Sequence, residues 1–230
     1  MTESTEFDPR DRSTFHFHAT PMRKAAVWLA GMVLRLLMKL EVEGLENVPA
    51  EGAMILASNH LSNFDVFPMQ LATPRPIFFM GKAELFRFAP MGAVLRDFGA
   101  FPVYRGEKDA WALRHARKVL EHDQVLGMFP EGRRSRGKGL GIAKTGAATL
   151  ALEADCPILP MVVTGSHQFL KSFPQRALVH VSFLRPIMPR RSQTPADLTE
   201  HLMLTLASAL PVDMRGVYAN ASSKDVDHLH

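Results

Sequence analysis

Residues 53–65 read AMILASNHLSNFD. Five apolar residues end abruptly in a polar loop, and from residue 63 the chain resumes with helical spacing through 72. A short apolar run bounded by polar residues suits a strand buried on both faces, and strand, loop and helix in quick succession make the half-unit of an α/β fold. The unit recurs along the chain. Runs PIFFM (76–80), VLGMF (125–129), ILPMVV (158–163) and ALVHVSF (177–183) have the same character, with helical stretches at 83–98, 107–122, 143–154 and 195–209. The expectation is a layered α/β fold whose largely parallel central sheet is flanked by helices. Ligands in such folds bind beyond the carboxyl ends of the strands, so the loops there are searched first.

Upstream lies the most apolar segment, AAVWLAGMVLRLLMKL (25–40). As a helix it would be about 24 Å long, short of a ~30 Å hydrocarbon core. Lys24, Gly31, Arg35 and Lys39 fall at spacings of seven, four and four, one stripe at helical pitch, and Trp28 lies in it. Residues 21–40 carry Arg23 and these three cations with no acid. Two readings stand: a helix packed on the core, or an amphipathic helix lying on a membrane surface. A secretory signal is disfavoured by the late start and the lack of a small-residue cleavage site. The expected organisation is a flexible tail at 1–20, an interfacial helix segment at 21–42, one globular domain at 43–212 and a flexible tail at 213–230. With 230 residues, one domain is the default, and 47% hydrophobic and 22% charged residues exclude wholesale disorder. The single cysteine, Cys156, excludes an internal disulfide framework and fits a reducing compartment. The net charge of +4 is modest, and no nucleic-acid motif accompanies it.

Three loops carry candidate chemistry. His60 and Asp65 follow the run 53–57. On one continuous helix a five-residue offset turns the side chains by about 500°, so they would not share a face. With His60 in a loop and Asp65 at the helix start, the carboxylate can fold back onto the imidazole, as a general base for a hydroxyl requires. The competing reading is an ordinary loop histidine, with Ser62-x-x-Asp65 serving as a capping box. The second loop, FPEGRRSRGK (129–138), sets Glu131 among four cations beside two glycines, suiting a phosphate. Gly132 to Lys138 is a near miss to a P-loop, but residue 139 is glycine where a Mg²⁺-binding hydroxyl would stand. The third, FPVYRG (101–106), ends an apolar strand in Arg105. Pro160 marks the run 158–163 as an edge or an interrupted ladder. No G-x-S-x-G and no Cys/His zinc spacing is present, and Cys156 reads as a structural thiol.

Taken in order, NHLSNFD, FPVYRG, FPEGRRS and ILPMVV resemble the four blocks of the glycerolipid acyltransferases, the 1-acylglycerol-3-phosphate acyltransferases of phospholipid synthesis. The likeness runs from about Glu43 to Pro186. Arg133 stands where the family usually has threonine and adds charge beside the acceptor site; the run EGRRSRGK (131–138) leans toward the related glycerol-3-phosphate acyltransferases, whereas Asn59 favours the lysophosphatidate group. The resemblance implies transfer of a fatty acyl group from acyl-CoA or acyl carrier protein to a lysophospholipid hydroxyl. His60 would be the base and Asp65 its orienting acid, while Arg105, Glu131, Gly132, Arg134, Ser135 and, more weakly, Lys82 would hold the acceptor. It implies neither metal nor cofactor beyond the acyl co-substrate, and a membrane-associated enzyme on the cytoplasmic face. A thioesterase and a non-catalytic lipid-binding module are the competing classes.

Overall fold

The computed structural model describes residues 8–17, 20–104, 109–135, 138–169 and 171–220. Seven strands form one sheet: β1 (Met38–Glu43), β2 (Met54–Ser58), β3 (Ile77–Lys82), β4 (Ala100–Val103), β5 (Val125–Met128), β6 (Ile158–Thr164) and β7 (Ala177–Phe183). Their order is β1-β7-β6-β2-β5-β3-β4. Every pair is parallel except β6–β7, so β7 and β1 run against the other five. The layered, largely parallel α/β reading holds.

Six helices are seen among the described residues: α1 (Pro21–Leu37), α2 (Val66–Ala72), α3 (Ala89–Asp97), α4 (Ala110–Glu121), α5 (Gly146–Ala154) and α6 (Pro195–Ser208). On one face of the sheet, Ile55, Phe78, Leu126 and Ile158 pack against α4, α5 and α6 through Ala116, Ala148 and Leu202. On the other, Met54, Leu56, Ile77, Val125 and Leu159 pack against Met69 of α2 and Leu34 and Leu37 of α1. Successive side chains of β2 and β3 alternate between these two cores, which is why their sequences are apolar throughout.

Four boundaries differ from expectation. The helix read over 25–40 stops at Leu37, and Met38–Glu43 is strand, paired residue for residue with β7. Its sequence, MKLEVE, alternates apolar and charged residues, a period of two that the long apolar run before it disguises. The stretch 83–98 splits into a 3-10 turn, Ala83–Phe86, and α3, because Pro90 can stand only in a first helical turn. The expected flexible tails are partly ordered. Arg10 chelates Asp109 at the start of α4 and also binds Asp8, while Leu140 exchanges backbone hydrogen bonds with Met214 and Val217. Pro160 lies in a central strand, not at an edge. The β6–β7 register starts at Met161, so the proline marks where that ladder ends.

The stripe of α1 also faces another way than its charges suggest. Gly31 is buried against α2, where an added Cβ would lie 2.9 Å from Leu71 Cδ2. Arg23 is buried as well: its guanidinium donates to the Ile77 carbonyl (2.7 Å) and lies 4.4 Å over the Phe78 ring. Burial without a carboxylate pushes its pKa down to about 10. Arg23 is therefore a structural pin rather than a headgroup contact. Besides Lys24 and Arg35, the side chains α1 turns to solvent are large and apolar: Met22, Trp28, Leu29, Met32, Val33 and Leu36. Among the described residues no helix is long and apolar enough to cross a membrane.

Candidate active site

Strands β6, β2 and β5 are neighbours and parallel, so their carboxyl ends bring together the loops that follow Thr164, Ser58 and Met128. The loop after β2 is tied on both sides. The Asn59 side-chain amide donates to the Val163 carbonyl and accepts from the Val163 N–H, each at 2.8 Å, stitching the β2 end to β6. The His60 N–H donates to Glu131 Oε1 (3.1 Å), and the His60 carbonyl accepts from the Ser135 N–H (2.8 Å). The loop after β5 thus grips the backbone of His60 at both its polar groups.

The imidazole is held as firmly. Its ring stacks on Phe129, centroids 3.9 Å apart and planes 14° from parallel. Its Nδ1 lies 2.8 Å from Asp65 Oδ2. Asp65 precedes α2 and is wholly buried. Oδ2 also accepts from the N–H groups of Leu61 (2.7 Å) and Ser62 (2.9 Å), and Oδ1 accepts from the hydroxyls of Ser62 (3.2 Å) and Ser166. A buried charge is tolerable only when its lone pairs are met, and five donors meet these. Since a carboxylate can only accept, Nδ1 carries the proton and Nε2 is the basic nitrogen. The two competing readings of this segment turn out to be one arrangement. The Asp65–Ser62 N–H bond is half a capping box, and the same oxygen orients the histidine.

Ser166 escaped the sequence reading. It stands 101 residues from Asp65 and reaches it only because β6 lies beside β2. Gly165 makes this possible: its φ is +80°, and an added Cβ would sit 2.0 Å from the Leu178 carbonyl oxygen. A Gly-Ser pair directly after a parallel strand was the available signal. Phe129 was quoted in its motif but its stacking on His60 had no sequence signature.

The remaining predicted residues divide. Glu131 was expected to face the acceptor, yet it is buried and both oxygens are taken by backbone N–H groups, of His60 and of Gly141 (2.8 Å). Burial pushes its carboxyl above the ordinary value, against those hydrogen bonds. Gly132, at φ +64°, turns the chain back so that Arg133 and Arg134 are exposed beside it, with Lys144 lining the same turn. Ser135 offers its N–H to His60, and its buried hydroxyl has no partner among the described residues. Lys82 ends β3, separated from β2 by β5, and pairs with Glu84 (3.1 Å). Arg105 lies outside the described residues. The Cys156 thiol is buried and pushed up to about 12, as a structural thiol should be.

Comparison with known proteins places the chain in a family. Residues 39–164, more than half of the chain, match the family model described as Acyltransferase. The chain is similar to 1-acyl-sn-glycerol-3-phosphate acyltransferases from Streptococcus pneumoniae, 33% identical over 70% of this chain and 61% of that protein. It is similar also to those from Bacillus subtilis, 30% identical over 58% and 67%, and Borreliella burgdorferi, 29% over 64% and 57%. The matches span about half to two thirds of these curated relatives, with 48% of the chloroplastic protein of Arabidopsis thaliana. The crystal structure of the 1-acyl-sn-glycerophosphate acyltransferase of Thermotoga maritima shares the fold, with a TM-score of 0.66 at 22% identity over 80% of this chain and 78% of that one. The ordered blocks, the buried acid behind the histidine and the matched family model lead to one assignment: the chain belongs to the acyltransferase family.

Proposed function

We propose that this protein acylates the free hydroxyl of lysophosphatidate (1-acylglycerol 3-phosphate), using acyl-CoA or acyl carrier protein as donor. The observation that carries the reading is the His60–Asp65 pair, with Nδ1 committed to a fully buried carboxylate and a cationic turn beside it. The curated relatives bear the name of this activity. Nε2 takes the proton of the acceptor hydroxyl as its oxygen attacks the thioester carbonyl carbon. The carbon–sulfur bond then breaks, the proton passes to the departing sulfur, and the ester and free thiol leave. Asp65 favours the imidazolium formed on the way. The reaction so written draws on no metal and no covalent acyl-enzyme.

Arg134, Arg105 and, from the same turn, Arg133 and Lys144 supply charge for the acceptor phosphate. Glu131, with Ser135, acts one step back by fixing the His60 backbone. Lys82 is the weaker candidate, being engaged by Glu84. A phosphate that rests on arginines rather than on threonine is also what glycerol 3-phosphate would need, so Arg133 keeps that acceptor as the second reading. The apolar outer face of α1 would rest on the cytoplasmic leaflet, where a long-chain acceptor resides.

Purified protein given acyl-CoA is to be assayed against lysophosphatidate, glycerol 3-phosphate and other lysolipids. Lysophosphatidate should give the highest kcat/KM, and His60→Ala should lower it about 10²–10⁴-fold with the fold retained. Thiol release that is independent of any acceptor would make the protein a thioesterase.

A further inference from the structure

The segment between β3 and β4 is poorly packed. In the 3-10 turn and α3 that make it up, Leu85, Phe88, Met91 and Val94 are exposed, Phe88 to 67%, and Gly92 is the sole fully buried residue of the helix. A nine-residue helix that turns its large apolar side chains outward is not explained by the core it rests on.

Its position gives the explanation. Ile77 and Phe79 belong to the core beneath α1 and α2, so Gly81, two residues further along β3, lies on the same face. The Phe86 ring closes on Gly81 there, 3.0 Å from where a Cβ would stand, which fixes the segment to that face. Arg23 joins it to α1. The guanidinium binds the Ile77 carbonyl and fills the space at Gly99, just beyond α3, where an added Cβ would lie 2.4 Å from it. The start of α1 and the end of α3 therefore meet over the start of β3. Both elements project from one side of the sheet, and both carry their apolar residues outward: Leu29, Val33 and Leu36 on α1, and Phe88, Met91 and Val94 on α3. Cations border the apolar surface. Lys24 and Arg35 lie on α1, which has no acid, and Arg87 is exposed beside Phe88.

We propose that the 83–97 segment is a second membrane footing, which with α1 seats this face of the sheet on an anionic phospholipid bilayer. The inference rests on the reading of α1 as an interfacial helix, and extends it to a separate element that the reading did not include. Large apolar side chains on two elements packed against one face, with Lys24, Arg35 and Arg87 among them, fit a lipid surface better than an acidic protein partner, which would require the charges at the centre. Glu84 and Asp97 leave the 83–97 segment itself without net charge, so its footing is apolar and the electrostatic attraction comes from α1. Two footings rather than one also fix how the molecule is tilted on the bilayer, and hence where the His60 loop stands relative to an acceptor held in it.

The buried Cys156 allows a direct test, because it leaves an introduced exposed cysteine as the one reactive thiol. Phe88→Cys, Leu29→Cys and Val212→Cys, the last an exposed apolar position in the loop beyond α6, are each labelled with an environment-sensitive fluorophore on the full chain. Each is then mixed with vesicles of phosphatidylcholine and phosphatidylglycerol. The labels at 88 and 29 should both shift to the blue and become protected from aqueous iodide, while that at 212 stays accessible. In a separate measurement, Phe88→Ser with Met91→Ser should weaken vesicle partition roughly tenfold or more, since two large apolar side chains no longer leave water. If the label at 29 enters the lipid and that at 88 behaves like 212, α1 is the sole anchor and the second footing is refuted. If neither enters, the interfacial reading of α1 falls with it. A response at 88 to acyl carrier protein but not to vesicles would make the face a donor-docking surface and overturn the lipid assignment.

Discussion

Replacing Asp65 by asparagine tests the histidine–carboxylate coupling, and the structure says how the amide will sit. Three groups donate to Oδ2, and two of them, the backbone N–H groups of Leu61 and Ser62, cannot reverse their role; the third is His60 Nδ1. Two hydroxyls surround Oδ1, those of Ser62 and Ser166, and a hydroxyl can accept as readily as it donates. The asparagine will therefore turn its oxygen toward Leu61, Ser62 and His60 and its NH₂ toward the two serines. The imidazole keeps its orientation and tautomer; what disappears is the negative charge. Two backbone bonds pass from charged to neutral acceptors at about 1 kcal/mol each, so stability should fall by about 2 kcal/mol. For a chain of this size that is a Tm lower by about 4–8 °C. Turnover should fall on the order of 10²-fold, the cost of forming an imidazolium without its counter-charge, less than the loss in His60→Ala. Asp65→Ala should differ in kind. It leaves two part-buried N–H groups without that acceptor, at up to about 1–3 kcal/mol each, enough to threaten the fold. The assays are initial rates with lysophosphatidate and acyl-CoA, and thermal melts of each variant. Near-normal turnover in a folded Asp65→Asn protein would refute the coupling, and equal stability losses in the asparagine and alanine variants would refute the donor assignment.

Three further outcomes are expected. Glu131→Gln must point its NH₂ at the N–H of either His60 or Gly141, so it should lose about 1–3 kcal/mol and lower kcat by loosening His60. Because burial raises the Glu131 carboxyl above 4.5, its contribution to stability is full below that pH and declines as pH rises through the folded value; the glutamine variant should lack this slope in denaturation curves. His115 is packed among Phe15, Phe17, Phe101 and Trp111, and burial first, then Lys118, lowers it from 6.5 to about 4. It contributes stability above pH 6.5 that is lost as pH falls toward 4, about 3 kcal/mol in full; His115→Leu should flatten urea-derived stability over that window, and an unchanged slope would place the titration elsewhere. Cys156, with its thiol pushed up to about 12, should resist a disulfide reagent in the native protein at neutral pH and react once the chain is unfolded.

The sequence by itself determined the layered α/β architecture, six of the seven strands, and the pairing of His60 with Asp65. All of these rest on contacts between near neighbours: period-two and period-3.6 hydrophobicity, and a five-residue loop short enough to close on itself. What it left to the tertiary structure are the matters decided by strand order. Met38–Glu43 became a strand because β7 offered it an edge, although the apolar run before it favours a longer helix. Ser166 completes the Asp65 site because β6 lies beside β2, a neighbour relation that no local pattern encodes. Glu131 turned inward because the loop after β5 found two unsatisfied N–H groups to bind, those of His60 and Gly141, where its charged neighbours suggested an outward carboxylate. Arg23 and part of the outer face of α1 exchanged the roles their chemistry suggested, this one cation going under while Leu29 and Leu36 face out and Leu34 and Leu37 pack inward. A helix has two faces of known composition, but which of them meets the sheet depends on the space there, and at Gly31 and Gly99 the fold had room only for Leu71 and for one guanidinium.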